Sequence, residues 1–294
     1  MKNSVKYTRT TSFSIVIVAY ILCLAVAYGS LMLGREHLSP LPNMFVADVV
    51  ATIVIWLFSI GFRNASIYDP YWSVIPMAAV GYWYAAYCQP LDCSAILTII
   101  AVGYWGIRLT LNWCRGWQGL IHQDWRYGML QSQHPSIYWL TNLGGIHLFP
   151  TVVVFLCLIP IYFLLRFSNF SYLHLIGFGI SIAATTIEWL ADEQMRTFKK
   201  TAKPNEYIDA GLWRYSRHPN YFGEISFWLG IYLMAIALSP SLWWTGMGIV
   251  VITTMFLKAS IPMMESKTLH SKPLYAKQIK QVNKLIPWFR KQDE

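Results

Sequence analysis

Charged side chains are scarce in this sequence. Asp, Glu, Lys and Arg make up 13% of the 294 residues, whereas 55% are hydrophobic and 16% are aromatic. An average soluble domain carries about 25% charged residues, which it needs to cover its surface. The scarcity excludes a soluble globular enzyme and a disordered chain. A multi-pass membrane protein remains, and it also explains the aromatic content, because Trp and Tyr collect at membrane interfaces.

Disulfide and metal-binding patterns are also missing. The five cysteines form no CxxC pair, and their odd number argues against a complete disulfide framework. Cys88 and Cys93 flank one short loop and could pair if that loop faces an oxidising space, but buried free thiols are expected for all five. The histidines show no metal-ligand spacing, so no metal cofactor is expected.

Eight apolar runs predict the fold. A membrane-spanning helix needs roughly 20 apolar residues, and the first run is interpreted as a helix because no A-x-A cleavage site follows it. We predict an all-α, multi-pass transmembrane helical bundle of about eight helices. It forms one membrane domain over 1–294, with N-terminal helices in 1–91 and a second region in 92–294. The runs are 13–33, 44–62, 71–91, 93–113, 147–165, 172–191, 221–238 and 241–257.

The distribution of positive charge predicts the orientation. Eight spans put both termini on one side of the membrane. If that side is cytoplasmic, every Lys and Arg except Arg35 and Arg166 is cytoplasmic too, as the positive-inside rule requires. The same rule explains the net charge of +9 without a nucleic acid partner. A bacterial inner membrane and an endoplasmic reticulum membrane both fit this asymmetry, and membrane lipids are the expected partners.

Four charged residues share one face of the predicted sixth helix. Glu188, Asp192, Arg196 and Lys199 are spaced i, i+4, i+8 and i+11, which places them on one helix face. Ionisable residues inside a membrane are costly and mark a candidate functional site. Ion pairing on the helix surface is the structural alternative, but it explains a carboxylate as deep in the span as Glu188 poorly.

The strongest signal precedes the predicted seventh helix. A proline followed by an asparagine marks the helix start, because proline fits the first turn and asparagine can cap it. A helix N-terminus next to Arg214, Arg217 and His218 is a candidate anion site. Glu224, one turn further along, could accept a hydrogen bond from a ribose hydroxyl or an amide. The structural alternative is a basic loop ending in a capped helix. The segment reads Gly211-Leu212-Trp213-Arg214-Tyr215-Ser216-Arg217-His218-Pro219-Asn220-Tyr221-Phe222-Gly223-Glu224.

These motifs resemble the C-terminal domain of the steroid 5-alpha-reductase family, and more closely its bacterial-type relatives, over about residues 100–290. Glu188, Asp192 and Arg196 stand where that family has Asn-x-x-x-Asp-x-x-x-Arg, and its Asn-x-x-Gly-Glu segment is matched directly. The family's Leu-Ile-Pro-Phe ending is similar to 285–289. The resemblance implies an NADPH site and favours a bacterial inner membrane. The implied cofactor-binding residues are Asp192, Arg196, Lys199, Arg214, Tyr215, Arg217, His218, Asn220, Tyr221 and Glu224.

The sequence departs from the reductase family in two places. The family's catalytic Gln-Glu pair and its partner Tyr come from earlier helices, and no motif identifies them here. The Arg and His that steroid enzymes use on the last helix are replaced by Lys258, Pro262 and Glu265. The resemblance therefore carries over the cofactor site but leaves a steroid substrate doubtful.

Polar residues of the N-terminal half form a third group. Asp69 and Trp72 lie at the start of the third predicted helix, and the fourth carries Arg108, Asn112 and Arg115 on one face at i, i+4 and i+7. We predict that these five line a substrate cavity, although Asp69 could equally be a helix cap and Trp72 an interfacial anchor. The candidates for a catalytic acid are Tyr71 and Tyr127 from this half of the chain and Glu188 from the predicted sixth helix. Asp48, in the second span, has no evident partner, and no function is predicted for it.

Two enzymatic functions follow from these residues. An NADPH-dependent reductase of a carbon–carbon double bond in a lipid-like enone needs a site open to lipid and a basic cofactor site at the cytoplasmic face. An S-adenosylmethionine-dependent methyltransferase of a lipid or isoprenylated substrate is the alternative, because isoprenylcysteine carboxyl methyltransferases share the Arg-His-Pro segment with a downstream glutamate. A transporter or scaffold is less favoured, since the charges cluster at the cytoplasmic face.

Overall fold

The computed structural model describes residues 7–87, 92–133, 135–167, 169–203 and 205–291. Within these ranges the regular secondary structure is helical, without β-strands. The prediction of an all-α, multi-pass helical protein is confirmed. Cys88, one half of the disulfide considered above, lies outside the described residues.

Seven helices of the described chain are long and apolar enough to cross a membrane. They match seven of the eight predicted runs, two of which extend one residue beyond the helix. The remaining run, 71–91, is a helix over Tyr71–Tyr87, and its last four residues lie outside the described ranges. The seven spans are Arg9–Gly34, Pro40–Gly61, Cys93–Gly116, Pro135–Arg166, Leu173–Thr201, Pro219–Leu238 and Pro240–Ser271.

Helical structure extends beyond the apolar runs. Between the fourth and fifth apolar runs, short helices and a π-helical segment at Asn142–Leu148 occupy much of the polar stretch 114–146. A helix needs only its backbone hydrogen bonds, whereas an apolar run marks the part that lipid or the core covers. The α-helices of the described residues are α1 (Arg9–Gly34), α2 (Pro40–Gly61), α3 (Tyr71–Tyr87), α4 (Cys93–Gly116), α5 (Trp125–Gln133), α6 (Tyr138–Thr141), α7 (Phe149–Arg166), α8 (Leu173–Thr201), α9 (Pro219–Leu238), α10 (Met247–Met255), α11 (Ile261–Ser271) and α12 (Tyr275–Gln281).

The first of two compact units comprises 1–82 and 109–159. In it α1 packs along α2 around a core that includes Tyr20, Ile55 and Trp117. The side chain of Asn64 donates hydrogen bonds to the carbonyl oxygens of Leu120 and His122, at 2.9 and 3.0 Å. This bond pair fixes the segment between α2 and α3, so the residues that open α3 have a defined position.

The second unit comprises 83–108 and 160–294, and the close packing of α8 on α9 dominates it. A Cβ atom added at Gly230 would lie 2.5 Å from the carbonyl oxygen of Gly177. A Cβ atom at Gly223 would overlap the side chain of Glu188. Glycine at these positions therefore allows the two helix backbones to approach closely, and Glu188 consequently packs against the first turns of α9.

Candidate functional site

Asp48 and Tyr71 form a buried pair in the first unit. Asp48 lies in the middle of α2 and Tyr71 opens α3, and the two residues are only 4% and 3% exposed. The Tyr71 hydroxyl donates to the Asp48 carboxylate at 2.7 Å and lies 2.8 Å from the Asp48 carbonyl oxygen. A carboxylate inside a membrane span needs such a partner, and its presence there indicates a functional site.

A chain of buried hydroxyl groups continues from this pair. Thr52 donates to the Tyr71 hydroxyl at 2.9 Å, and its oxygen lies 2.8 Å from that of Thr151 on α7. The Thr151 oxygen is in turn 2.8 Å from the hydroxyl of Tyr68. If each hydroxyl donates toward Asp48, the bonds polarise one another and support a negative charge there. The chain holds the Tyr71 hydroxyl in one orientation.

Two cavities adjoin Asp48. The larger, of about 180 Å³, lies between α1, α2 and α3, and apolar side chains such as Ala51 and Ile75 form most of its wall. Leu24 and Tyr28 at its edge are 36% and 58% exposed, so it opens on the exposed apolar side of α1. The smaller, of about 10 Å³, is lined by Tyr68, Tyr71 and Trp72 among others. An apolar cavity with a few convergent polar groups is typical of a small-molecule site.

Asp69 and Tyr127 form a second acid–phenol pair in the same unit. The Tyr127 hydroxyl donates to the Asp69 carboxylate at 2.6 Å. Burial raises the pKa of Asp69 from 3.8 to about 6, against the lowering effect of the Tyr127 hydrogen bond. Burial, and then the Asp69 charge, raises the pKa of Tyr127 well above its usual value. The phenol therefore stays protonated and serves as the donor.

The raised pKa of Asp69 predicts a pH-dependent stability. Because the pKa lies above its ordinary value, the contribution of this carboxyl to stability is present below pH 3.8 and is lost as the pH rises through about 6. Asp69→Asn is neutral at every pH and still accepts from Tyr127. We expect the melting temperature of the variant relative to the wild type to increase between pH about 4 and pH about 7. A constant difference over that range, measured in one detergent, would contradict this.

Three carboxylates of α8 and α9 converge in the second unit. Arg108 on α4 donates to Glu188 and to Asp192, both at 2.5 Å. Glu224 on α9 accepts from the indole nitrogens of Trp105 and Trp228, at 2.9 and 2.8 Å. Glu188 is 2% exposed, and Arg108 is 7% exposed. The acidic end of the predicted charged face on α8 therefore lies against Arg108 of α4. This guanidinium group neutralises part of the negative charge of Glu188 and Asp192.

Glu188 and Glu224 also face each other. The charge of Glu224 acts on Glu188, and the two carboxyl groups lie within hydrogen-bonding reach of each other, while Oε1 of Glu188 is buried and receives no bond from Arg108, which pairs with Oε2. Two carboxylates this close repel each other unless a proton or a hydrogen-bond donor lies between them. The arrangement is therefore suited to a molecule that presents amide or hydroxyl donors.

Arg217 and His218 contact Glu265, which lies on α11. The Arg217 Nε atom donates to the Glu265 carboxylate at 2.7 Å, and His218 Nε2 lies 3.1 Å from the same oxygen. Nη1 of Arg217 donates to the carbonyl oxygens of Ile279 and Val282, at 2.8 and 2.6 Å. This guanidinium group joins the Arg-His-Pro segment to the end of α12, and most of its donors are already used.

The other predicted cofactor residues are spread over the same unit. Arg196 forms an ion pair with Glu193 at 2.9 Å. Lys199, Arg214 and Tyr215 are exposed, and the Tyr221 ring stacks between His218 and Phe256. The expectation that Asn220 caps the helix is wrong. Helix α9 begins at Pro219 with His218 as its N-cap residue, because the proline at the first helical position moves the boundary one residue earlier.

The polar face predicted on α4 is divided between two environments. Arg108 is buried against Glu188 and Asp192, whereas Asn112 is half-buried and Arg115 is exposed in the first unit. Of the five residues predicted to line a substrate cavity, Trp72 lines one of the two cavities described here, and Asp69 bonds to Tyr127. The i, i+4, i+7 spacing on α4 did not reveal that Arg108 pairs with carboxylates of α8 while Arg115 is exposed.

Sequence reasoning missed Asp48 as a functional residue. Its partner Tyr71 is 23 positions away on another helix, so no spacing within one helix reveals it. The available signal was the carboxylate itself, isolated in an apolar span, with Thr52 one turn later. The rule that an ionisable residue inside a membrane span is a candidate functional residue was sufficient to add Asp48 to the candidates.

Comparisons with known proteins identify the family. A protein of Schizosaccharomyces pombe (strain 972), "Uncharacterized protein C594.04c", is 27% identical over 280 residues, covering 83% of this chain and 80% of the yeast protein. No solved structure matches. The model of the family described as "Protein of unknown function (DUF1295)" matches residues 55–282, which is well over half of the chain. The chain therefore belongs to this family of membrane proteins.

Proposed function

We propose that this protein is a membrane-embedded enzyme that uses NADPH to reduce a carbon–carbon double bond in a lipid-like enone. The observation that carries the proposal is the Asp48–Tyr71 pair: Asp48 lines the apolar cavity, and Tyr71, which bonds to it, lines the small cavity beside it. The resemblance to the steroid 5-alpha-reductase family implies a Gln-Glu pair and a partner tyrosine on earlier helices, and no sequence motif identified them. Of these groups, a carboxylate and a tyrosine have counterparts in Asp48 and Tyr71. Helices α2 and α3 supply such a pair.

The pair can provide the proton that this reduction requires. A lipid-like substrate enters the cavity from the exposed side of α1, and its carbonyl oxygen accepts a hydrogen bond at the Asp48–Tyr71 pair. When the substrate carbonyl replaces the Asp48 carboxylate as the acceptor of the Tyr71 hydroxyl, Tyr71 polarises that carbonyl and stabilises the enolate that forms when the β-carbon receives a hydride. The α-carbon then takes a proton by way of Tyr71, and solvent returns a proton to the phenol, which completes the saturated product. Among the three candidate acids, Tyr71 is the one whose carboxylate partner lines the cavity.

The second unit has groups that suit the cofactor, which supplies the hydride when it is bound. The Glu188–Glu224 pair, with the buried Oε1 of Glu188, fits the hydrogen-bond donors of a carboxamide or a ribose. Asp192 is a third acceptor in the same group. The exposed cations Lys199 and Arg214 are the candidates for the phosphates. Arg217 has a different role in this proposal, because its donors hold Glu265 and the end of α12.

A methyltransferase is the second candidate, and one observation favours it. The Arg-His-Pro segment and the downstream Glu265, on which that resemblance rests, come together as one ion-paired cluster. Because the cluster is already neutralised internally, it offers fewer free groups to a ligand than the Glu188–Glu224 pair. We therefore rank S-adenosylmethionine behind NADPH as the cofactor.

Ligand-induced thermal stabilisation separates the two candidates. We expect NADPH, and not S-adenosylmethionine, to raise the melting temperature of the purified protein in mild detergent. At 100 times its dissociation constant a ligand stabilises the folded state by about 2.7 kcal/mol. Glu224→Gln should weaken the NADPH effect, because it removes a negative charge that accepts hydrogen bonds. NADH, tested in parallel, reports whether the 2′-phosphate contributes.

Glu206→Gln is the matched control. Glu206 is exposed and accepts a hydrogen bond from the Lys203 backbone, and it belongs to neither proposed site. The control should keep the full NADPH response. Stabilisation by S-adenosylmethionine alone would assign the protein to methyl transfer and refute the reductase proposal.

A further inference from the structure

The last part of the described chain is a non-helical strap over 283–291, held firmly to the second unit. Backbone bonds link Trp288 N to the Tyr215 carbonyl oxygen at 3.0 Å and Arg217 N to the Asn283 carbonyl oxygen at 2.9 Å. The Ser216 hydroxyl donates to the carbonyl oxygen of residue 285 at 2.7 Å. The strap therefore has a fixed position against 215–217, although it lacks regular secondary structure.

The strap nevertheless exposes its largest apolar side chains. Ile286, Trp288 and Phe289 are 64%, 65% and 75% exposed. The strap's backbone is held in place, yet these three side chains gain no hydrophobic stabilisation as long as they remain in water. An apolar environment that covers them in the working protein explains the arrangement.

The position of the strap identifies that environment. Its anchor, Tyr215, lies four residues before Pro219, where the membrane-spanning helix α9 begins. The backbone that holds Trp288 is thus near the end of a span, at the boundary between the hydrocarbon and water. Trp and other aromatic residues are enriched at this level because one part of the side chain is apolar and another part is polar.

The charges of the strap specify the lipid. Its described residues include Lys284, Arg290 and Lys291 and no carboxylate. Lys284 and Lys291 are exposed, while Arg290 forms an ion pair with Asp209 and donates to the carbonyl oxygen of Arg214. Cations beside an inserted apolar group fit the phosphates of an anionic leaflet.

We propose that the strap is an interfacial anchor, with Ile286, Trp288 and Phe289 inserted among the headgroups and with Lys284 and Lys291 bound to anionic lipid phosphates. The anchor would hold the end of α12 and the Arg-His-Pro segment at the membrane surface. This assignment does not depend on the proposed reductase activity, since it requires neither cofactor nor substrate.

Photocrosslinking in nanodiscs tests the insertion. The photoreactive residue p-benzoylphenylalanine is placed at residue 288 of the full-length protein, in nanodiscs of phosphatidylcholine with a minor fraction of phosphatidylglycerol. The matched control carries it at residue 206, an exposed position between α8 and α9 and outside the seven spans. We expect lipid adducts from residue 288, detected by mass spectrometry, and far fewer from residue 206. Residue 289 provides a second insertion site if the first variant does not fold.

The headgroup preference is tested in the same discs. We expect phosphatidylglycerol to be over-represented among the adducts from residue 288. Lys284→Gln with Lys291→Gln should reduce this enrichment, by up to about fivefold for each cation removed. The double variant Lys200→Gln with Lys203→Gln removes the same charge elsewhere and should leave the enrichment unchanged. Adducts at residue 288 with protein or added NADPH instead of lipid, or equal lipid adducts at residue 206, would overturn the proposal.

Discussion

Replacing Tyr71 with phenylalanine is expected to lower the turnover of a lipid enone by about 10²- to 10⁴-fold, the usual contribution of a positioned general acid. The variant loses the hydroxyl that lies 2.7 Å from the Asp48 carboxylate and keeps the aromatic ring in the core. NADPH binding should not change, because its proposed residues lie on other helices. Steady-state NADPH oxidation and thermal stabilisation by NADPH measure the two effects separately.

Tyr127→Phe is the control for this prediction. Tyr127 has the same chemistry and also donates to a carboxylate, Asp69, but it lines neither of the two described cavities. Its loss should change turnover far less than the loss of Tyr71. A larger defect in Tyr127→Phe than in Tyr71→Phe would identify Asp69–Tyr127 as the acid pair instead.

Arg108→Met is expected to destabilise the protein by about 3–5 kcal/mol, the typical cost of removing one partner from a buried ion pair. Methionine fills much of the space of the arginine side chain but leaves Glu188 and Asp192 without their cation. Glu224 then adds a third unbalanced carboxylate to the same region. Denaturant titration of the protein in detergent, followed by tryptophan fluorescence, gives the change in the free energy of unfolding.

Two variants show whether this effect arises from the buried charge. Arg35→Met removes an exposed arginine at the end of α1 and should cost no more than about 0.5 kcal/mol. Adding Glu188→Gln to Arg108→Met removes the most buried of the stranded charges, so part of the lost stability should return. If the Arg108 and Arg35 variants were equally stable, the ion-paired cluster would not be a significant structural element.

Much of the fold could be predicted from the sequence because membrane insertion depends on local properties. Runs of about 20 apolar residues identify spans one at a time, and seven of the eight predicted runs lie in helices long enough to cross. The extension of α8 to Thr201 and the π-helical segment before α7 were not predictable in this way. They depend on backbone hydrogen bonds, which continue through polar residues.

The candidate sites were predictable only in part, since each depends on contacts between distant residues. Helical spacing placed Glu188 and Asp192 on one face, but their partner Arg108 lies 80 positions before Glu188. Arg217 was interpreted as an anion ligand because it precedes a helix. The carbonyl oxygens of α12 that use its donors come from a segment more than 60 positions later. The NADPH site and the domain division at residues 91 and 92 stay predictions.

The central claim is hydride transfer from NADPH to a lipid-like enone, and deuterium transfer tests it most directly. Purified protein in nanodiscs is incubated with NADPH deuterated at the transferable position, together with a panel of enones and a membrane lipid extract. We predict a saturated product that carries one deuterium at the former β-carbon and one solvent proton at the α-carbon, and no such product with Tyr71→Phe. If NADPH fails to bind, or binds without deuterium entering any lipid, the protein is not the reductase proposed here.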